Sequence, residues 1–524
     1  MILNIDFLKQ DFLEDAKSVF GSDYEAFLET YNEKPYRGIS VNTLKITAER
    51  LKELLVYKLE KTPMYKNGYY IDSEIEGLGN NPLHHAGAFY VQEPSASAPV
   101  SLLDVQEGER ILDLCSAPGG KSSQILALLN NTGLLWSNEY VKSRSQILLS
   151  NLERMGARNF VVSNCSADTL CDGLEGFFDK ILVDAPCSGE GMFRKNHDAS
   201  DEWSRDNVKL CAERQLFILE SASKALRAGG MLVYSTCTFS YEENEGVVSE
   251  FLKRNDDFAI DEIEYPFGRK SDLKGCVRIS PLEGGEGQFM VRLRKSGNEP
   301  ACDGDYKFNN NENKLVSGFI DEVFSIKPSG NIEIIGDRAY IFPENLPKLN
   351  GLGVIRAGVF LGEIKKNRIE PAHALFSAYT KEYFKNVLNL KLNDERVEKF
   401  LSGEEIDCEN QKGYTLLAVE GVSLGFGKCS NGRMKNKYPN ICSATDSHKR
   451  YLLHTHLAAL YARRLHSPIH ASCIELCSLS AETGGAILHQ SGTFYAAGSG
   501  ASPPPPPSSP PEPEPPPVSG FVPT

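Results

Sequence analysis

Arg110-Ile111-Leu112-Asp113-Leu114-Cys115-Ser116-Ala117-Pro118-Gly119-Gly120-Lys121 decides the fold of this chain. A short apolar run leads into a glycine-rich turn, and the turn leads into a helical pattern. Glycines let a ligand approach the backbone closely, and a helix N-terminus offers unpaired N–H groups. From about residue 105 to 295 short apolar runs alternate with amphipathic stretches, the pattern of a parallel sheet with crossover helices. The spacing predicts strands at 110–114, 134–138, 159–164, 179–183 and 230–235. Gln288 to Leu293 closes the unit as an antiparallel strand, and Val141 to Met155 forms a helix with Ile147, Leu148 and Leu152 on one side. In such an open α/β sheet, ligands bind beyond the carboxyl ends of the strands, near a topological switch point.

Two cysteines fall at such ends. Cys187 lies in Asp184-Ala185-Pro186-Cys187-Ser188-Gly189, after Ile181-Leu182-Val183, and Cys237 lies in Tyr234-Ser235-Thr236-Cys237-Thr238, after Met231-Leu232-Val233. With the glycine loop they face one crevice, which suggests covalent catalysis with a bound cofactor. Glu139 ends the second strand, where an acid accepts bonds from ribose hydroxyls; the competing reading is a surface acid capping a helix. Asp168 follows the third strand and is placed to meet an adenine amino group, although alone it would be a helix cap. The loop lacks the Gly-x4-Gly-Lys-Ser/Thr spacing of a phosphate loop. Cys115, Cys165, Cys171, Cys211 and Cys276 read as inert small hydrophobes.

A chain of 524 residues exceeds one ordinary core, so roughly two to four domains are expected. No apolar stretch reaches the roughly 18 residues of a membrane span. The N-terminus lacks the basic start and cleavage site of a signal peptide, so a cytoplasmic location is expected. The 13 cysteines include no C-x-x-C pair, so neither disulfides nor a structural metal site is expected. A net charge of −14 argues mildly against a general nucleic-acid binder, while a local basic face can still hold phosphate.

Residues 1–100 form a small mixed unit. Phe7, Phe12, Leu13, Val19, Phe20, Phe27 and Leu28 have helical spacing, and Gly38 to Leu44 reads as a strand. The α/β unit spans 101–296, and a polar linker covers 297–312. A smaller unit occupies 313–439, with strand-like Gly353 to Arg356 and Tyr414 to Val419 and a returning strand after Gly421. Beyond Pro439 the composition changes. Six of the ten histidines lie past Ser447, and the chain ends in proline runs, so 440–524 is expected to be extended and foreign to the rest.

Cys115 to Lys121, Asp184 to Lys195 and Tyr234 to Thr238 together resemble the three signature motifs of the Nol/Nop/Sun family of RNA cytosine-5 methyltransferases. The segment 313–439 resembles the C-terminal PUA-like part of the family's RsmF branch. The resemblance implies a Rossmann-like fold flanked by an N-terminal RNA-binding α+β unit and a C-terminal PUA-like unit. It implies S-adenosyl-L-methionine as cofactor, RNA as substrate, and a monomer. It implies that Cys237 attacks carbon 6 of cytosine, that Cys187 assists loss of the carbon-5 proton and release, and that Asp184 meets the pyrimidine edge near nitrogen 3. The cofactor residues it implies are Cys115, Ser116, Ala117, Pro118, Gly119, Gly120, Lys121, Glu139, Asp168 and Asp184.

Lys121 itself is left to packing or RNA. Arg194 and Lys195 are candidate sources of positive field for a thiol, or phosphate contacts. Lys365, Lys366, Arg368, Arg433, Lys435 and Lys437, with Tyr438, are the remaining basic candidates for RNA, each of which could equally be a solvated charge. The motifs do not separate ribosomal RNA, the reading preferred, from transfer RNA. A non-catalytic RNA-binding or ribosome-assembly module would have no need of both thiols and Asp184. A small-molecule methyltransferase would have no need of the flanking units.

Overall fold

The computed structural model describes residues 5–309, 312–409 and 411–439. The expectation for 440–524 lies outside the described residues. The centre is a ten-stranded sheet. Its main strands are β1 (Arg110–Asp113), β2 (Leu134–Asn138), β3 (Phe160–Ser163), β4 (Phe178–Asp184), β5 (Leu226–Thr236) and β6 (Gln288–Lys295). They lie in the order β3-β2-β1-β4-β5-β6. The first five are parallel and β6 is antiparallel to β5. The order reverses at β1 and β4, which makes that pair the switch point. Both faces of the sheet are covered, so its strands are nearly continuous in apolar residues rather than alternating. Leu112, Trp136, Val161, Phe178, Ile181 and Val183 all fall in one buried cluster. The buried Trp136 donates its indole N–H to Ser163 Oγ at 2.9 Å.

The helix Lys142–Met155 forms as expected and ends at Gly156, whose φ of 84° only glycine adopts readily. Leu148 and Leu152, four residues apart, point inward. Ile147, expected beside them, is half exposed at 50 %, because one residue on a helix is a turn of about 100°.

At the N-terminus, helices Gln10–Phe20 and Tyr24–Glu29 bury Phe12, Phe20, Phe27 and Leu28. A four-stranded sheet follows, in the order Glu60–Lys61, Gly68–Ile71, Arg37–Val41, Phe89–Val91. The strand expected to reach Leu44 stops at Val41. Asn42 ends it, because its side-chain amide donates to Gly87 O and Met155 O, both at 2.8 Å.

The C-terminal segment carries two sheets. One runs Asn331–Ile335, Arg338–Phe342, Val359–Lys365, Arg368–Pro371, and the other Val387–Leu390, Gly413–Val419, Val422–Ser430, Arg433–Asn436, Ile406–Asp407. The strand expected near Gly353 to Arg356 exists as Val354–Ala357, but it joins the central sheet, antiparallel to β3. There it covers the open edge that β3 would otherwise present.

Leu148→Ala or Leu152→Ala is expected to lower stability by about 2–5 kcal/mol, and Ile147→Ala by under about 0.5 kcal/mol, as measured by urea unfolding. Equal losses at Ile147 and Leu148 would contradict the burial described above.

Candidate active site

The glycine loop is fixed at the end of β1 by bonds to neighbouring segments. Ser116 N donates to Asn138 O at 2.9 Å, and Ser116 Oγ donates to Asp113 O. The Arg144 guanidinium donates to Ala117 O at 2.8 Å, and the Asn151 amide to Pro118 O at 2.9 Å. Gly119 has a φ of 111°, which L side chains rarely adopt. Helix Gly120–Leu129 starts immediately after it. Lys121 and Ser122 in its first turn reach back over the sheet. Ser122 Oγ donates to Asp113 Oδ2 at 2.6 Å. Burial pushes the Asp113 carboxyl up to about 7. Burial likewise pushes the Cys115 thiol well above its ordinary range, with Glu139 and Asp113 adding to the effect, so Cys115 lines the loop as a neutral group.

Glu139 is buried just beyond β2. One oxygen accepts from Val141 N at 2.8 Å, and the other lies 3.5 Å from Arg144. Asp168 sits half-buried in the first turn of helix Ala167–Asp172, where Ser166 and then the Thr169 N–H hold its carboxyl below the usual range. Asn138 ties the two places together by donating to Leu114 O and Cys165 O. The acids around the loop are Asp113, Glu139, Asp168 and Asp184. Its lysine, Lys121, is ion-paired to Asp184 at 2.7 Å. This donor set suits a cationic, phosphate-free nucleoside better than a nucleotide phosphate.

Asp184 ends β4 and is the most heavily bonded group of the site. Oδ2 accepts from Lys121 Nζ at 2.7 Å, and Oδ1 accepts from Ser235 Oγ at 2.7 Å and Gln288 Nε2 at 3.1 Å. Three strands thereby fix one carboxylate. The parallel register pairs Asp184 with Ser235, so the turns that follow bring Cys187 and Cys237 together. Their sulfurs are 3.2 Å apart, and Cys237 N donates to Cys187 Sγ at 3.3 Å. The Cys187 thiol is held well above its ordinary range, first by its hydrogen bond to Cys237 and then by burial. Burial works against charge on Lys121, but Asp184 and then Cys237 outweigh it and keep the lysine charged. The cation facing the Cys237 thiol is therefore Lys121.

Arg194 and Lys195 lie in a different charge cluster. Arg194 is buried and ion-paired to Glu286 at 3.1 Å, and its guanidinium also donates to Glu33 O and Lys34 O. Burial lowers the Lys195 ammonium from its ordinary value. The other basic candidates lie on the C-terminal sheets, in a turn between their strands, or just past the last strand. Lys365 pairs with Glu363, Arg368 with Glu370, Arg433 with Asp407 and Lys437 with Glu370. Lys366 and Lys435 are exposed, and Tyr438 is buried with its hydroxyl on His85. Ser235 and Gln288, unassigned from the sequence, belong to the site. Their signal was a polar residue inside an apolar strand run at the end that faces the crevice.

Four family models match in sequence along the chain. They are the N-terminal domain of 16S rRNA methyltransferase RsmF over 8–94, 16S rRNA methyltransferase RsmB/F over 100–294, the RsmF first C-terminal domain over 318–378, and the methyltransferase RsmF PUA domain over 387–441. The ribosomal RNA small subunit methyltransferase F of Vibrio vulnificus is 34% identical over 461 residues, covering 83% of this chain and 97% of its own. Its counterpart from Shewanella piezotolerans is 33% identical over 463 residues, covering 82% and 96%. The crystal structure of NSun6 from Pyrococcus horikoshii with SFG superposes with a TM-score of 0.51 at 24% identity, over 56% of this chain and all of that one, a likeness of fold. With the motifs, the sheet order and these matches in agreement, the chain belongs to the RsmF branch of the RsmB/F methyltransferase family.

Proposed function

We propose that this chain methylates carbon 5 of a cytosine in small-subunit ribosomal RNA, using S-adenosyl-L-methionine and a covalent adduct between Cys237 and carbon 6. The observation that carries the reading is the pair of thiols 3.2 Å apart beside the Lys121–Asp184 ion pair. The RNA class comes from two of the family models, named for 16S rRNA, and from the relatives, named for the ribosomal RNA small subunit. A cytoplasmic monomer fits that substrate.

The glycine loop, Glu139 and Asp168 would hold the cofactor, which supplies an electrophilic methyl group when bound. Asp184 would close the far side of its pocket. Carbon 5 of cytosine is a weak nucleophile. Addition of a thiolate to carbon 6 makes carbon 5 enamine-like and able to take the methyl group. Lys121 stabilises the charge on the Cys237 sulfur before attack. Asp184, ion-paired to Lys121, would accept from the pyrimidine edge. As the adduct forms, the ring nitrogen takes a proton from solvent and donates it in a hydrogen bond to Asp184. Cys187 begins as a thiol and so does not compete for carbon 6. Once Cys237 is bonded to carbon it no longer donates its thiol hydrogen bond to Cys187. Cys187 then gives its own proton to solvent and, as a thiolate, takes the carbon-5 proton; the ring nitrogen returns its proton to solvent as the Cys237 Sγ–carbon 6 bond breaks, which releases the methylated base and the Cys237 thiolate. The target base must first leave its stack, at a cost of a few kcal/mol, which contacts to the surrounding RNA must offset.

Bisulfite sequencing of 16S ribosomal RNA from cells with and without the gene tests the reading. A cytosine protected only when the gene is present is expected, and protection confined to transfer RNA would overturn the ribosomal assignment. Cys237→Ala is expected to abolish methyl transfer while cofactor binding persists. Cys187→Ala is expected to accumulate a protein–RNA adduct stable in denaturing gels. An active Cys237→Ala enzyme would contradict the assigned roles. Lys121→Met is expected to cut kcat by about 10²-fold, as measured by steady-state methyl transfer. A kcat equal to wild type would remove Lys121 from the proposed chemistry.

A further inference from the structure

Two buried carboxyl groups outside the chemistry above lace the thiol turns to each other. Glu190 follows Cys187 by three residues. Its Oε2 accepts from the backbone N–H of Phe239, two residues past Cys237, at 2.8 Å, and its Oε1 accepts from the Trp203 indole at 2.9 Å. Glu243 follows Cys237 by six residues. Its Oε2 accepts from the backbone N–H of Ser188, next to Cys187, at 3.0 Å, and from the Gln215 amide at 2.8 Å. Each turn thus contributes the carboxyl that pins a backbone N–H of the other. Two further bonds span the same gap: Ser188 Oγ meets Thr238 Oγ1 at 2.9 Å, and Gly191 N donates to Cys237 O at 2.9 Å.

Glu190 is 3% exposed and Glu243 0%. A carboxyl so buried is costly unless its bonds are made, and these bonds run to turn backbone and neutral side chains rather than to cations. Stability alone would be served as well by apolar side chains of similar volume. Fixed acceptors aimed at two N–H groups instead define a distance. We propose that Glu190 and Glu243 are positioning residues whose crossed hydrogen bonds set the sulfur–sulfur separation on which methyl transfer depends. The proposal rests on the roles given to Cys187 and Cys237 under Proposed function.

The two carboxyls differ in a way that sharpens the test. Both bonds to Glu243 fall on one oxygen, and Oε1 has no partner. Burial raises this carboxyl to about 8, so near neutrality it carries a proton, and glutamine reproduces its shape and its acceptor. The bonds to Glu190 fall on two oxygens, and glutamine can keep only one of them.

Full-length wild-type and variant proteins are compared by two readouts. The first needs no RNA. Diamide takes one hydrogen from each thiol to become the hydrazine while the Cys187 Sγ–Cys237 Sγ bond forms, and the joined peptides are quantified by mass spectrometry. The second is steady-state methyl transfer to 16S ribosomal RNA. Glu190→Ala and Glu243→Ala are expected to slow the disulfide about tenfold and to lower kcat about ten- to hundredfold, with KM values for RNA and cofactor within about twofold of wild type. Glu243→Gln is expected to recover both readouts to within about threefold, and Glu190→Gln to recover less. Folded alanine variants that form the disulfide at the wild-type rate would overturn the proposal. Where the alanine variants do not fold, the glutamine pair decides, and equal rates for the two overturn it. If the disulfide rates follow expectation but the wild-type enzyme leaves RNA unmethylated, the positioning role stands and the methyl-transfer reading falls.

Discussion

The contact between Cys187 and Cys237 is the constraint to which the rest of the site answers. Neither residue lies on a strand, so no ladder holds the sulfurs directly. Their meeting is inherited from the register of β4 and β5, which sets Asp184 opposite Ser235. Asp184 then locks that register from the side-chain direction by accepting from Ser235 on β5, Gln288 on β6 and Lys121 on the helix after β1. A slip of one residue along β5 would turn Ser235 to the opposite face and carry Cys237 away from its partner. Strand pairing, an ordinary folding term, thereby sets the distance between the two sulfurs.

Charge around the thiols is divided rather than pooled. A buried cation and a buried anion cost less together than apart, and Lys121 with Asp184 makes such a pair in the one place where both are useful. The lysine faces a sulfur, and the carboxylate faces the position proposed for the base. Glu243 is kept off the charge balance because burial raises its carboxyl to about 8, and Glu190 is turned to the N–H groups of Trp203 and Phe239. Both act through acceptor geometry. Asp113 follows the same rule under the glycine loop, where it holds Ser122 Oγ without facing the thiols.

The six main strands of the central sheet were legible because strand runs and turn residues agree there, and local agreement of that kind is what directs a sequence to one fold; the short strands Phe258–Ile260, Arg269–Lys270 and Cys276–Ile279 were not expected. The thiols, Asp184, Glu139 and the glycine loop were legible because they follow strands, where position alone predicts the crevice. What was not legible depends on distance in sequence. Nothing near Lys121 announces a partner 63 residues away, and nothing in Val354–Ala357 tells it to leave its neighbours and cover β3. The partners of the basic candidates were not legible for a related reason. Arg194, Arg433 and Lys437 are paired with Glu286, Asp407 and Glu370, each distant in sequence.

The N-terminal helices change how the site should be partitioned. Phe12 packs against Phe193 and Trp203, and Phe20 and Phe27 pack edge-on against Phe239 at 5.3 and 5.5 Å between ring centroids. Phe239 is the residue whose N–H Glu190 holds, and Trp203 is the other donor to that same carboxyl. Aromatic pairs of this kind contribute about 0.5–1.5 kcal/mol each beyond the area they bury, and here they act on the far side of the turn from the carboxyl. The Cys237 turn is thus held between an apolar wall from the first 30 residues and a hydrogen-bonded wall from the α/β unit. A segment that the family resemblance assigns to RNA contact is also part of the support of the Cys237 turn. The active site is therefore a joint product of two segments, and its geometry depends on their packing as much as on the sheet that carries it.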